Sequence, residues 1–246
     1  MHKFFTEQVT FKDGKGTAVI VGDDVKHIWK VLRLKEKDSV LINDLNGQDY
    51  SGEILSVSKE EVRVKLNSMI TDTSESPLEI TVFQGIPKGQ KMDLISQKLS
   101  ELGVSKIVQV RMERTIPENE NENKKLDRYR RIILEGCKQS KRSRITSVTP
   151  PMDLNEASKL INELDLLIVP YENEENRGIK SIEGKISEAK KIGILVGPEG
   201  GISEDEIKIL EDFGGEVITL GPRILRTETC AITVVSILQY IAGDMG

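Results

Sequence analysis

The chain is 246 residues long, 37% hydrophobic and 4% aromatic, with a formal net charge of −5 from 35 basic and 40 acidic residues. That length suffices for one large domain or two of ordinary size, each with its own core. No apolar run approaches the roughly 18 residues of a membrane span. The start, Met1-His2-Lys3-Phe4-Phe5-Thr6-Glu7, turns acidic too soon for a signal sequence, so a soluble cytoplasmic protein is expected. Cys137 and Cys230 are far apart, as are His2 and His27, which argues against a disulfide scaffold and against a metal site. An acidic total does not favour nucleic acid as a partner, but phosphate responds to local rather than net charge.

Residues 1 to about 70 read as mostly strand, with short β-branched or alternating runs at 17–21, 39–42, 50–55 and 61–66 separated by Asp-Gly, Asn-Gly and Lys-Glu turns. One helix interrupts them, with Asp23 or Asp24 as its cap and Val25, Ile28, Trp29 and Leu32 on one face, which puts Trp29 in the core. Short strands with a single helix suggest a small barrel. The polar stretch 71–77 reads as a linker. From 78 to 246 strands alternate with helices. The strand candidates at 78–83, 107–110, 166–169, 192–196 and 217–220 are nearly continuous apolar runs, as in a parallel sheet covered on both faces.

Residues 93–103 predict a helix burying Leu94, Ile95, Leu99 and Leu102, ended by Gly103 in the left-handed region. Charge swings sharply further on. Residues 113–122 are acidic, whereas 124–144 hold nine Lys or Arg against Asp127 and Glu135. In a helix starting near Lys125, Leu126, Tyr129, Ile133 and Cys137 make an apolar face. Arg128, Arg131, Lys138 and Arg142 follow another line that suits phosphate contacts, with surface salt pairs as the alternative. Ser203 and Glu206 form a capping box for a helix packing Ile207, Leu210 and Phe213. The last helix, roughly 229–242, is apolar around most of its circumference and must be covered by more than one neighbour, within the domain or on a second subunit.

Two glycine-bearing segments each follow an apolar run: Gly197-Pro198-Glu199-Gly200-Gly201, and Leu220-Gly221-Pro222-Arg223-Ile224-Leu225-Arg226-Thr227-Glu228-Thr229. Two turns at the carboxyl ends of buried strands can jointly present backbone donors and acceptors to one small polar ligand. Neither has the spacing of a phosphate loop, and the Gly-x-Gly-x-x-Gly turn of a nucleotide-dependent oxidoreductase is missing. Arg223 and Arg226, beside Glu228, could anchor the turn or hold a polyanion.

These segments closely resemble the signatures of the bacterial 16S ribosomal RNA (uracil-N3)-methyltransferase family, within the SPOUT superfamily. The resemblance continues in Lys88-Gly89-Gln90-Lys91-Met92-Asp93, Gln97-Lys98, Glu101-Leu102-Gly103-Val104, Glu135-Gly136-Cys137-Lys138-Gln139-Ser140-Lys141-Arg142 and, near the amino end, His27 with Val31-Leu32-Arg33. It implies an amino-terminal PUA-like or OB-like barrel (1–70) and a carboxyl-terminal α/β domain (78–246) with a mostly parallel sheet and a trefoil knot that binds S-adenosylmethionine. It also implies a homodimer acting on 16S rRNA, within the 30S subunit, without a metal.

On that resemblance the cofactor pocket comprises Leu195, Val196, Gly197, Gly201, Leu220, Gly221, Ile224, Leu225 and Thr227. Arg226 is the first candidate for stabilising charge on the uracil, with Arg223 sharing that task or holding a phosphate. Glu199 and Glu228 are possible bases or arginine orienters, and Cys230 is assigned to packing. His27, Arg33, Arg128, Arg131, Lys138, Gln139, Ser140 and Arg142 fall to the RNA side. Two other readings keep the same turns: a SPOUT-like enzyme with a different target atom, and an RNA-binding assembly factor that has lost methyl transfer.

Overall fold

A computed structural model describes residues 1–71, 75–116 and 121–245, so part of the expected linker (72–74) and of the acidic stretch (117–120) lie outside the described residues. The chain divides into two compact units, residues 1–75 with 137–145, and residues 76–136 with 146–246. The sequence reading had kept 137–145 with the carboxyl-terminal domain. Long-range polar pairing, invisible to periodicity, explains the difference. Glu75 accepts from the backbone amides of Ser143 and Arg144 at 2.7 and 2.9 Å and pairs with Arg142 at 2.9 Å. Lys3 reaches Asp49 at 2.6 Å and the Arg142 carbonyl at 2.9 Å.

The amino-terminal unit contains β1 (His2–Phe5), β2 (Val9–Lys12), β3 (Lys15–Val21), β4 (Ser39–Asn43), β5 (Asp49–Val57) and β6 (Glu61–Ile70). They form one sheet in the order β1-β4-β5-β6-β3-β2, antiparallel except for the β1–β4 pair. Asp13 and Gly14 join β2 to β3 with both φ angles positive, as a two-residue hairpin of matching twist demands. Along β6 the alternation is plain: Val62, Val64 and Leu66 are buried while Arg63 and Lys65 face out. With Phe4, Ile20, Ile42 and Ile54 they make the core of this unit.

The interrupting helix differs from expectation. One turn, α1 (Asp23–Lys26), is preceded by Gly22 with no side-chain cap, and it opens into a π-helical turn over His27–Leu32. Ordinary helical spacing does not hold through such a widened turn. Val25 and Ile28 are buried, but Trp29 is 43% exposed.

The carboxyl-terminal unit is a parallel sheet in the order β10-β8-β7-β12-β11-β13, with β9 pairing β8. The strands are β7 (Glu79–Gly85), β8 (Lys106–Arg111), β9 (Ser147–Val148), β10 (Met152–Asp153), β11 (Leu166–Pro170), β12 (Lys191–Val196) and β13 (Glu216–Ile218). Strands β7, β12 and β11 are buried along nearly all of their length and mostly apolar, because both faces are covered. Around them lie α2 (Lys91–Glu101), α3 (Glu122–Gln139), α4 (Leu154–Ile161), α5 (Glu183–Glu188), α6 (Glu204–Asp212) and α7 (Thr227–Ile241).

Helix α2 buries Met92, Ile95, Ser96, Leu99 and Ser100, while Leu94, expected inside, faces out. Gly103 takes the left-handed conformation at φ 86°. The capping box of α6 forms as read, with Ser203 and Glu206 exchanging bonds. Helix α7 packs Ala231, Val234, Val235 and Leu238 inward. Its other face is only partly covered, with Ile232, Ile237 and Ile241 half-buried and Tyr240 70% exposed. Among the described residues no helix is long and apolar enough to cross a membrane.

Candidate active site

Parallel strands end in a row, so the loops after β7, β11 and β12 share one edge of the sheet. The first glycine turn follows β12. Gly197 has no room for a side chain, since a Cβ there would lie 2.8 Å from Ile202 Cγ1 and 3.1 Å from the Gly201 carbonyl carbon. The Gly201 amide donates to the Pro198 carbonyl at 2.9 Å, and Gly201 itself takes φ 75°. From outside, Arg114 donates to the Gly200 carbonyl at 2.9 Å. Glu206 accepts from the Glu113 amide at 2.8 Å as well as capping α6. This loop is held on every side.

The second turn leads from β13 into α7 and meets the first through Thr227. Its hydroxyl donates to the Gly197 carbonyl at 2.7 Å and accepts from the buried Gln84 amide at 2.8 Å. Lys91, at the start of α2, lies 2.9 Å from Glu199 on the first loop and 3.8 Å from Glu228 on the second. The two turns, 30 residues apart in sequence at this contact, are thus joined twice.

Between them lies a cavity in two adjoining lobes. One, of about 350 Å³, is lined by Val196, Gly197, Gly201, Arg226 and Thr227 among others. The second, of about 490 Å³, runs along Leu220, Gly221, Pro222 and Arg223. Pro170, Glu172, Ile224, Leu225 and Cys230 border both. Such volumes fall in the range of about 300–1,000 Å³ common for small-ligand sites.

Of the expected pocket residues, Val196, Gly197, Gly201, Leu220, Gly221, Ile224, Leu225 and Thr227 line this space. Leu195 does not: its side chain belongs to the hydrophobic core. Arg223 and Arg226 are exposed at the mouth, and no carboxylate pairs with either among the described residues. Glu199 is committed to the loop. Burial alone would push its carboxyl up, but the Lys91 ammonium and the backbone amides of Glu199 and Lys88 outweigh it and hold the carboxyl below the usual range. A carboxylate so stabilised is a weak proton acceptor at neutral pH. Burial pushes the Cys230 thiol up to about 12, with the Glu172 charge adding to it, in keeping with a packing role.

Sequence reasoning missed Glu172, Lys91 as a tie between loops, and the brace from Arg114. Glu172 had a signal, its place just beyond the buried run of β11. The other two act through tertiary contacts alone.

The residues assigned to RNA divide between the units. In the carboxyl-terminal unit, Arg128 is exposed and paired with Asp93, and the exposed Arg131 bonds back to the Asp127 carbonyl. In the amino-terminal unit, His27 and Arg33 are exposed, the latter at φ 55°. Gln139 is exposed, Ser140 half-buried, and Lys138 pairs with Asp24 at 3.2 Å. Arg142 is a correction. The helix ends at Gln139, so the basic line breaks before it. Arg142 is 3% exposed and held by Glu75, a structural anchor with no face toward a phosphate.

Residues 74–239 match the model of an RNA methyltransferase domain, and residues 20–67 that of an RNA methyltransferase PUA domain. Ribosomal RNA small subunit methyltransferase E of Bacillus subtilis is 30% identical over 91% of this chain and 90% of its own. The Aquifex aeolicus protein of that name is 32% identical over 97% and 99%. Among solved structures, ribosomal RNA small subunit methyltransferase E from Neisseria gonorrhoeae, bound to S-adenosyl methionine, superposes with a TM-score of 0.84 at 28% identity over the whole of both chains. A putative methyltransferase of Legionella pneumophila, in complex with SAM, gives 0.82 at 28% identity over 99% of this chain and 98% of its own. With both domain models matched and relatives of 30% and 32% identity along nearly the whole chain, it belongs to the RNA methyltransferase family, alongside the ribosomal RNA small subunit methyltransferases E.

Proposed function

We propose that this protein transfers a methyl group from S-adenosylmethionine to N3 of a uridine in 16S rRNA, acting as a homodimer on the small ribosomal subunit. The observation that carries the reading is the pair of glycine turns joined through Thr227 and Lys91 around one cavity. The cavity fits the donor chemically. It offers backbone groups of two turns, apolar walls at Pro170, Ile224 and Leu225, and the carboxylate of Glu172 for a cationic ligand. When bound, S-adenosylmethionine supplies a methyl group already activated on a sulfonium. The knot implied by the resemblance is part of this proposal, as is the second copy. The partly covered face of α7, with Tyr240, and the outward Leu94 of α2 support an apolar subunit contact.

The protein's own contribution is alignment and charge. Uracil N3 is a poor nucleophile while protonated, and loss of its proton spreads negative charge over O2 and O4. Arg226, which lines the cavity just before α7, is the candidate donor to one of those oxygens. Arg223 lies on the same loop and holds that charge or a backbone phosphate. Glu199 fixes the loop and leaves the proton to another acceptor.

The test is methyl transfer to isolated 30S subunits and to free 16S rRNA, with the modified nucleoside mapped. A product methylated on a ribose or a guanine would replace the N3 assignment. Absence of both donor binding and product would remove the enzyme reading.

A further inference from the structure

Trp29, the single tryptophan of the chain, is 43% exposed. It borders a cavity of about 300 Å³ between the α1 segment and the β5–β6 turn, lined by Val25, Lys26, Trp29, Lys30, Ser58 and Lys59. Lys30 Nζ sits 5.3 Å from the ring centroid, a cation–π distance, and the neighbouring Val31 is 65% exposed. The Ser58 hydroxyl is not free for a ligand: it donates to the Glu61 carbonyl and accepts from the amides of Glu60 and Glu61, shaping the floor. Lys26 has a carboxylate neighbour among the described residues, Asp23, at 3.9 Å in open solvent where water screens the pair.

A partly exposed indole leaves apolar surface in water. An indole in a recess lined by three lysines, Lys30 against the ring itself, matches one chemistry well, a flat aromatic base attached to a phosphate. We infer that this recess holds one unpaired nucleotide of RNA, its base against Trp29 and its flanking phosphates near Lys26, Lys30 and Lys59. The inference rests on the reading of the protein as an RNA-modifying enzyme and adds a contact on the amino-terminal unit, whereas the donor cavity belongs to the carboxyl-terminal unit. Stacking tolerates any base, so the site positions the strand without choosing its sequence.

A single tryptophan makes the experiment direct, and it needs no methyl donor. The whole protein is titrated with a short oligoadenylate and, separately, with inorganic polyphosphate, following intrinsic fluorescence. The oligoadenylate is expected to quench the emission, whereas polyphosphate competes for the site yet leaves the emission nearly unchanged. Anisotropy of a labelled oligoadenylate is expected to show about a tenfold weaker Kd for Trp29→Ala and a smaller loss for Trp29→Phe. Because Trp29 lies at the surface, the melting temperature of both variants should match that of the parent. Equal quenching by both ligands would overturn the stacking, as would RNA bound with unchanged emission. Quenching by an acidic peptide but not by RNA would assign the recess to a protein partner. If methyl transfer fails while stacking persists, only the proposed activity is lost.

Discussion

The two glycine turns serve one cavity but are built differently. The turn after β12 is braced by Arg114, by Lys91 through Glu199, and by its own bond from Gly201 to Pro198. The turn before α7 is open: residues 221–224 are exposed, Ile224 at 85%, and its local bonds are those between Thr219 and Gly221. One wall of the site is therefore braced by several contacts, while the 221–224 part of the other is held by few. Preorganisation on one side lowers the cost of binding, and looseness on the other permits entry.

Substitutions at equivalent positions probe this asymmetry. Gly197→Ala should have the largest effect, because the new methyl must displace Ile202 or the Gly201 backbone. Overpacking of this kind costs about 1–3 kcal/mol, and a shift near 1 Å in the donor wall lowers turnover about a hundredfold. Thermal melts and methyl-transfer rates read both. Arg226→Ala should lower turnover about a hundredfold as well, but with donor affinity from calorimetry unchanged, since the side chain sits at the mouth. Normal turnover would remove Arg226 from the active site.

Gly221→Ala should be milder. Nothing lies within 4 Å of an added methyl, so only the φ of 104° opposes it. That strain is about 1–2 kcal/mol. If this variant lost donor binding as completely as Gly197→Ala, the second turn would be as rigid as the first.

Lys91→Met is the smallest expected change and is read through pH. The Glu199 carboxyl titrates below its ordinary 4.5 in the folded protein. Its contribution is therefore present above that value and lost as pH falls through the lowered one. The variant should be less stable than the parent by under about 1 kcal/mol at neutral pH. The gap in melting temperature should close as pH falls below the ordinary carboxylate range. A gap independent of pH would mean that Lys91 acts through packing alone.

Local chemistry was legible in the residues: the Asp13-Gly14 hairpin, Gly103 as a helix stop, the Ser203–Glu206 box, and the apolar strands that become a parallel sheet. So was the closing of both glycine turns on one space. What was not legible depends on partners distant in the chain. Arg142 looked like one more cation on a basic stripe until Glu75, 67 residues away, claimed it. Trp29 read as core because regular helical spacing was assumed through a segment that widens. Leu94 read as buried from its type, although Met92 and Ser96 take the inner face of α2.

The protonated sulfur of Cys230 has a consequence for an enzyme that handles an alkylating agent. With its thiol pushed up to about 12, that sulfur stays protonated at neutral pH. A thiolate in that wall would be a nucleophile beside the methyl donor. Burial and the neighbouring Glu172 charge keep the cysteine from spending the reagent on itself.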